Sequence, residues 1–228
     1  PFVGLHAHST FSLNDGFGYP QEHQQFAYDN GMDALALTDH GTCAGLSYAI
    51  LNAKKMRDEG KEFKAILGVE AYFIPDVVEW REIYEEIKQD KKAARALKKR
   101  ESTTTAETDG SSRESNTTLP RYAHLILFAQ NQVGLNNIYS IVSESHDENH
   151  FYRRPRVDFN LLRKYNEGVI CASACLGGIV GREMYSGRDA GLNEEEIYQN
   201  ALAKLKTFVE IYGDRFYGEL QWNSVPEQ

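Results

Sequence analysis

Short apolar and β-branched runs recur along the chain: Phe2 to Leu5, Ala34 to Thr38, Ala65 to Ile74, Ala123 to Ala129, Gly168 to Ala172 and Phe216 to Leu220. Their length and content predict strands. Between them, Gln21 to Asn30, Gly45 to Glu59, Val133 to Ser145 and Glu194 to Tyr212 carry apolar residues at helical spacing, as at Ile197, Ala201, Leu205, Phe208 and Val209. The last of these opens with Asn193 before three glutamates, a pattern that caps a helix and suits its dipole. Alternation of strands and helices predicts an α/β fold built on a parallel sheet or barrel. No internal repeat is visible.

The rhythm breaks once. Glu79 to Glu101 holds fourteen charged residues in 23, with a thin apolar stripe at Trp80, Ile83, Tyr84 and Ile87, which predicts a solvated helix with one narrow packed edge. Ser102 to Thr118 follows with ten Ser or Thr in 17 positions and no large apolar residue. Such a stretch buries too little surface to offset its ordering entropy, so a mobile loop is expected there. Residues 79–118 are therefore read as a helical and disordered insertion within one domain spanning 1–228.

Composition narrows the picture. A chain of 228 residues with 41% hydrophobic content can bury one sizeable core. Its net charge of −8 gives no overall attraction for a polyanion, so any nucleic-acid contact must be local. No stretch approaches the roughly 18 apolar residues of a membrane span, and the N-terminus has no charged segment leading into an apolar one, so neither a membrane nor a signal peptide is expected. Three cysteines, Cys43, Cys171 and Cys175, make an odd and sparse set that suits a reducing, cytoplasmic compartment better than a disulfide scaffold.

The chemistry begins at His6-Ala7-His8, directly after the first predicted strand. In extended chain, residues two apart project to one side, so two imidazoles can face one cation or neighbouring cations; zinc, manganese and iron suit them. Alone the pair is a weak signal, since two hydrogen-bonded histidines at a strand end would look the same. Other ligand types fall near the ends of other predicted strands: Asp39 and His40 after the second, Glu70 within the third, His124 opening the fourth, Cys175 after the fifth. In barrels, loops at one end of the sheet gather such side chains into a single pocket. Buried separately, each would need its own partner, whereas shared metal ions would satisfy them together. Asp15, before Gly16, also fits an ordinary turn aspartate. Cys175 sits in a small-residue turn that opens a helix, where a thiolate is favoured, or it is a small buried hydrophobe. Cys43 and Cys171 read as buried apolar residues, and His23, His146 and His150 as surface residues.

Taken together, these motifs resemble the PHP (polymerase and histidinol phosphatase) domain at the N-terminus of the C-family replicative DNA polymerases, the alpha subunits of DNA polymerase III in bacteria and phages. The resemblance rests on Leu5 to Gly16 (LHAHSTFSLNDG), Gly31 to Gly41 (GMDALALTDHG), Gly68 to Tyr72, His124 to Ala129, Phe151 to Asp158 (FYRRPRVD), Ser173 to Gly178 and Gly213 to Gln221, in that order. It covers nearly the whole chain except the insertion from Glu79 to Thr118.

The resemblance implies a distorted (β/α)7 TIM-like barrel with up to three divalent ions, zinc, manganese or iron, at one mouth. The implied ligands are His6, His8, Asp15, His40, Glu70, His124 and Cys175, with His6, His8, Asp15, His40 and Glu70 central to catalysis. It further implies phosphoesterase or 3′→5′ exonuclease chemistry on the 3′ end of a DNA strand. The family pattern closes with an Asp-x-His strand, and the sequence stops at Gln228 before one, so a piece of a longer polypeptide is expected, its barrel lacking the last strand. Downstream polymerase domains would then be partners, and a separate proofreading exonuclease another. Arg153, Arg154 and Arg156 are the candidate phosphate contacts in an otherwise acidic chain. Their structural alternative is pairing with carboxylates such as Asp158. Two rival functions are a non-catalytic metal-holding scaffold and a free-standing phosphatase of small phosphate esters.

Overall fold

In a computed structural model, residues 2–101 and 122–221 are described, with side chains excepted for 94–101. The expected mobile loop from Ser102 to Thr118 lies outside the described residues.

Among the described residues, strands and α-helices alternate for most of the chain, seven of each: α1 (Pro20–Asp29), β1 (Ala34–Leu37), α2 (Leu46–Asp58), β2 (Lys64–Phe73), α3 (Val77–Glu101), β3 (Ala123–Ala129), α4 (Gln132–Ser145), β4 (Phe151–Tyr152), β5 (Arg154–Val157), α5 (Phe159–Lys164), β6 (Val169–Ala172), α6 (Ile179–Asp189), α7 (Glu194–Tyr212) and β7 (Phe216–Tyr217). The run from Phe2 to Leu5 forms no strand; it lies along β1 and makes a single parallel bridge, Gly4 to Leu35. The α7 start is capped as its sequence suggests. Asn193 accepts from the Glu196 amide at 2.9 Å, and the Glu196 carboxylate accepts from the Asn193 amide at 2.9 Å.

The sheet is mixed rather than all-parallel. β2 pairs in parallel with β1 through residues 64–67 and with β5 through residues 72–73, while its other edge carries β3 antiparallel. β6 pairs antiparallel with β3 and parallel with β7. The strand β3 thus runs against its neighbours, so its first residues lie beside the last residues of β2, with Tyr72 opposite His124 and Phe73 opposite Ala123. The sheet curls into a distorted barrel of the TIM-like kind. His6, near the chain's start, reaches across to Glu219 just beyond β7.

Alternation assigns the two faces. Val69, Ala71, Phe73, Leu125, Leu127, Val169 and Cys171 point outward against Ile138 and Ile141 of α4, Leu161 and Leu162 of α5, and Phe208 and Tyr212 of α7. Burial of each large side chain there contributes about 1.5–3 kcal/mol. Ala36, Ile126, Phe128, Ala172 and Ala174 form a separate inner cluster. Glu70 and His124 share that inner face by register.

Candidate metal centre

Glu70 is the hub. It sits mid-strand in β2 and is fully buried. Four imidazoles converge on its two oxygens. Oε1 lies 3.4 Å from His6 Nε2 and 2.9 Å from His124 Nδ1, and Oε2 lies 3.1 Å from His8 Nε2 and 2.8 Å from His40 Nδ1. Each imidazole arrives from a different place in the chain. The N-terminal segment runs beside β1, where the Ala36 amide donates to Gly4 O at 2.8 Å and the Thr38 amide to Ala7 O at 2.9 Å, which turns His6 and His8 inward together. His40 continues β1 beside Glu70. His124 reaches the same mouth although it opens its strand, because β3 is reversed.

The rim is added by a loop and a turn. Asp15, with its side chain 58% exposed, accepts from His40 Nε2 at 2.7 Å and lies 4.0 Å from His8 Nε2. The His8 and His40 rings stack with centroids 4.2 Å apart. Cys175, after β6, places Sγ 3.7 Å from His124 Nδ1 and 4.0 Å from Glu70 Oε1. All seven residues expected as ligands therefore meet at one mouth.

Two supporting features were not read as supports in the sequence, where Asp39 stood among the ligand types. Asp39, buried next to His40, accepts from the Ser9 amide at 2.6 Å, from Ser9 Oγ at 2.8 Å and from Ser12 Oγ at 2.7 Å. It fastens the loop between His8 and Asp15 to the end of β1. At the loop's exit Gly16 passes so close that a Cβ would stand 1.6 Å from Ser9 O. Glu219 Oε1 accepts from His6 Nδ1 at 2.7 Å, and Gln221 Nε2 donates to the same Glu219 oxygen at 2.7 Å. This directs His6 Nε2 toward Glu70, the carboxylate–histidine support common beneath metal ligands. The signal for both lay in quoted motifs, Thr38-Asp39-His40-Gly41 and Glu219-Leu220-Gln221.

Electrostatics agree with a charged, tightly coupled cluster. Burial would raise the Glu70 carboxyl, but His124, His40, His6 and His8 hold it well below the usual carboxylate range. Burial would lower His6, yet Glu219 and Glu70 lift it to about 9. His40 is raised too, against its burial, by Glu70 and Asp15. Cys175 differs from the thiolate expectation: burial and the Glu70 charge push its thiol up, outweighing the Gly177 backbone.

Divalent ions fit this donor set. His8 Nδ1, His40 Nδ1 and Glu70 Oε2 are buried without a hydrogen-bond partner, so the short contacts of Oε2 to His8 and His40 lack hydrogen-bond alignment. Buried polar atoms without a hydrogen bond are costly, and coordination would satisfy Glu70 Oε2 and His40 Nδ1. Among the described residues, three groups have ligand atoms within 4.8 Å of one another: His6, His8 and Glu70; His8, Asp15 and His40; and His40, Glu70 and His124. Nitrogen and oxygen donors with one nearby sulfur suit zinc, manganese or iron.

The three arginines do not form one cluster. Arg154 stands over the Tyr72 ring, its guanidinium 5.4 Å from the centroid, and Tyr72 stacks on His40 with centroids 5.6 Å apart. Arg153, at a left-handed φ of 60°, is exposed at the β4–β5 tip. Arg156 is buried against Trp80. Asp158 pairs with none of them; it caps α5, accepting from the Leu161 amide at 2.9 Å.

The chain is 33% identical over 227 residues to the DNA polymerase III subunit alpha of Borreliella burgdorferi, covering 100% of this chain and 16% of that protein. It is 35% identical over 227 residues to the subunit of the same name from Aquifex aeolicus, with the same coverage of 100% and 16%. The chain thus spans about a sixth of the length of these relatives. A solved structure of a candidate metal-dependent phosphoesterase from Bifidobacterium adolescentis aligns with a TM-score of 0.41 and 11% identity, over 88% of this chain and 73% of that one. The PHP domain family matches residues 4–223, and the chain belongs to that family.

Proposed function

We propose that this chain is the PHP domain of a DNA polymerase III alpha subunit and that its centre hydrolyses phosphodiesters at the 3′ end of a DNA strand, using bound zinc, manganese or iron. The observation that carries the reading is the convergence of His6, His8, His40 and His124 on the buried Glu70 carboxylate, whose Oε2 has no hydrogen-bond partner, in three groups of ligand atoms among the described residues. The 33% and 35% identity to DNA polymerase III alpha subunits along the whole chain supports the assignment to a replicative polymerase.

Divalent ions held there would supply positive charge against phosphodiester oxygens and make a water more acidic. The chain's own residues do the placing. Glu70, His6, His8 and His124 form the floor. The His40 ring joins floor to rim, with Nδ1 toward Glu70 and Nε2 on Asp15, and Asp15 is the one carboxylate of the set open to solvent and to substrate. Cys175 flanks His124. Arg154, over Tyr72 beside His40, is the cation placed to meet a phosphate at the mouth. The same reading places the protein in the cytoplasm beside the polymerase domains of its own chain; among the described residues no helix is long and apolar enough to cross a membrane.

The test is element-resolved metal content alongside release of nucleotide from a 3′-labelled DNA strand, for the unaltered protein and for His8→Ala and Glu70→Ala. Bound metal and hydrolysis should fall together in both variants. Metal-dependent release unchanged in either one would refute the assignment. Metal lost on substitution, with no hydrolysis by the unaltered protein, would point to the scaffold role and a separate proofreading exonuclease.

A further inference from the structure

Beside the metal centre, the packed edge of α3 faces the β4–β5 hairpin across a cleft lined by Trp80, Arg81, Tyr84, Phe151, Tyr152 and Arg156, with Glu85 at its edge. Three rings form one wall: Trp80 and Tyr84 stack with centroids 5.4 Å apart, and Tyr152 lies 4.9 Å from each. Phe151 stands 46% exposed at the entrance. The floor is cationic. Arg156 is only 3% exposed, and its guanidinium lies 3.7 Å above the Trp80 ring. Its Nε donates to His150 O at 2.9 Å, but its Nη1 has no hydrogen-bond partner. Arg81 is close enough to repel it: burial and the Arg81 charge pull Arg156 down to about 10. Arg81 itself donates to Asn149 Oδ1 at 3.2 Å and to Glu148 O. Among the described residues neither guanidinium pairs with a carboxylate, and Glu85 is held by Lys88 at 3.0 Å.

A buried guanidinium with an unmet donor, next to a second cation and walled by rings, calls for an anion attached to a flat apolar group. Nucleotides are that chemical class, and rings beside arginines recur where single strands bind. Position favours a strand over a free nucleotide. Tyr122 packs on the Ile74, Val77 and Trp80 cluster behind the cleft, meets Tyr72 at 4.8 Å and stacks on His124 at 6.0 Å. One ring therefore separates the cleft wall from a metal-ligand histidine, with Arg154 over Tyr72 between them.

We propose that this cleft is a subsite for a nucleotide of single-stranded DNA upstream of the end held at the metal centre, its phosphate meeting Arg156 and Arg81 and its base meeting Tyr84, Phe151 and Tyr152. The proposal rests on the reading of the centre as a DNA phosphoesterase. It gives the α3 segment of the 79–118 insertion a role in substrate binding.

The test measures binding of a fluorescein-labelled oligothymidylate by anisotropy in EDTA, so that metal chemistry does not enter, for the unaltered protein and for Phe151→Ala, Tyr84→Ala and Arg156→Gln. Each aromatic variant should bind at least about five-fold more weakly. Arg156→Gln should also flatten the salt dependence by about one phosphate contact. Because Arg156→Gln can unfold the protein, the two aromatic variants, checked for unchanged melting and metal content, decide the case. Oligothymidylate affinity unchanged in both aromatic variants overturns the proposal, as does binding of polyglutamate in place of DNA. Cleft-dependent binding without any hydrolysis by the metal-loaded protein upholds the subsite and refutes the phosphoesterase reading; hydrolysis without cleft-dependent binding does the reverse.

Discussion

Replacing Asp39 tests how far the metal centre depends on a residue that touches no ligand atom. Asp39 is 1% exposed and accepts three hydrogen bonds, from the Ser9 amide and from the Ser9 and Ser12 hydroxyls. Hydrogen bonds to a charged group contribute about 1.5–3 kcal/mol each, so three give a ceiling of about 4.5–9 kcal/mol for Asp39→Ala. The two hydroxyls can turn to other acceptors, while the Ser9 amide cannot, which favours the lower end, about 4.5 kcal/mol. For a domain of this size each kcal/mol moves Tm by about 2–4 °C, so Asp39→Ala should melt about 9–18 °C lower. Asp39→Asn keeps the shape and can still accept from the amide. It loses the charge, which costs about 1–2 kcal/mol, or about 2–8 °C. Calorimetry of both variants in EDTA isolates this effect from metal binding. A fall below about 2 °C for Asp39→Ala would refute the reasoning, because the loop would then be held by something other than this carboxylate.

Two further perturbations reach the same centre from other sides. Glu219→Gln should weaken metal binding by about 10–100-fold, read by competition with a chromogenic chelator, with the fold intact by circular dichroism; unchanged affinity would mean that His6 does not need Glu219 to orient it. Gly16→Ala would place a methyl 1.6 Å from Ser9 O, so the loop must open; a loss of about 2 kcal/mol or more in urea unfolding is expected, and a neutral result would show the loop to be adaptable.

Much of this architecture could be read before any coordinates, and the failures have physical causes. Glu194 to Tyr212 was legible to the residue because a capping box, a periodic apolar face and Gly213 mark both ends. The long apolar run of β2 was legible because its second half, from Gly68 to Phe73, is buried on both faces. The direction of β3 was not, since an apolar strand reads the same in either sense and the choice is made by its neighbours. The β4–β5 hairpin was missed because its tip is Arg153 in a left-handed conformation, where sequence would show Gly or Asn. The ligand set was legible because chemically costly residues stood at strand ends. Its supports were not, because Asp39 and Glu219 act through bonds to partners 30 and 213 positions away.

The reversal of β3 also decides where this fold tolerates growth. In an all-parallel barrel, the link between two neighbouring strands must travel to the opposite pole, so added length is divided between the two ends. Here β2 leaves at Phe73 and β3 enters at Ala123, and these two residues are paired. Both stems of the connection stand at the ligand-bearing pole, clamped by the same ladder. Length can be added between them without changing a single pair in that ladder. α3, which opens that connection, begins four residues after Phe73, so the ladder beneath is complete before the connection departs.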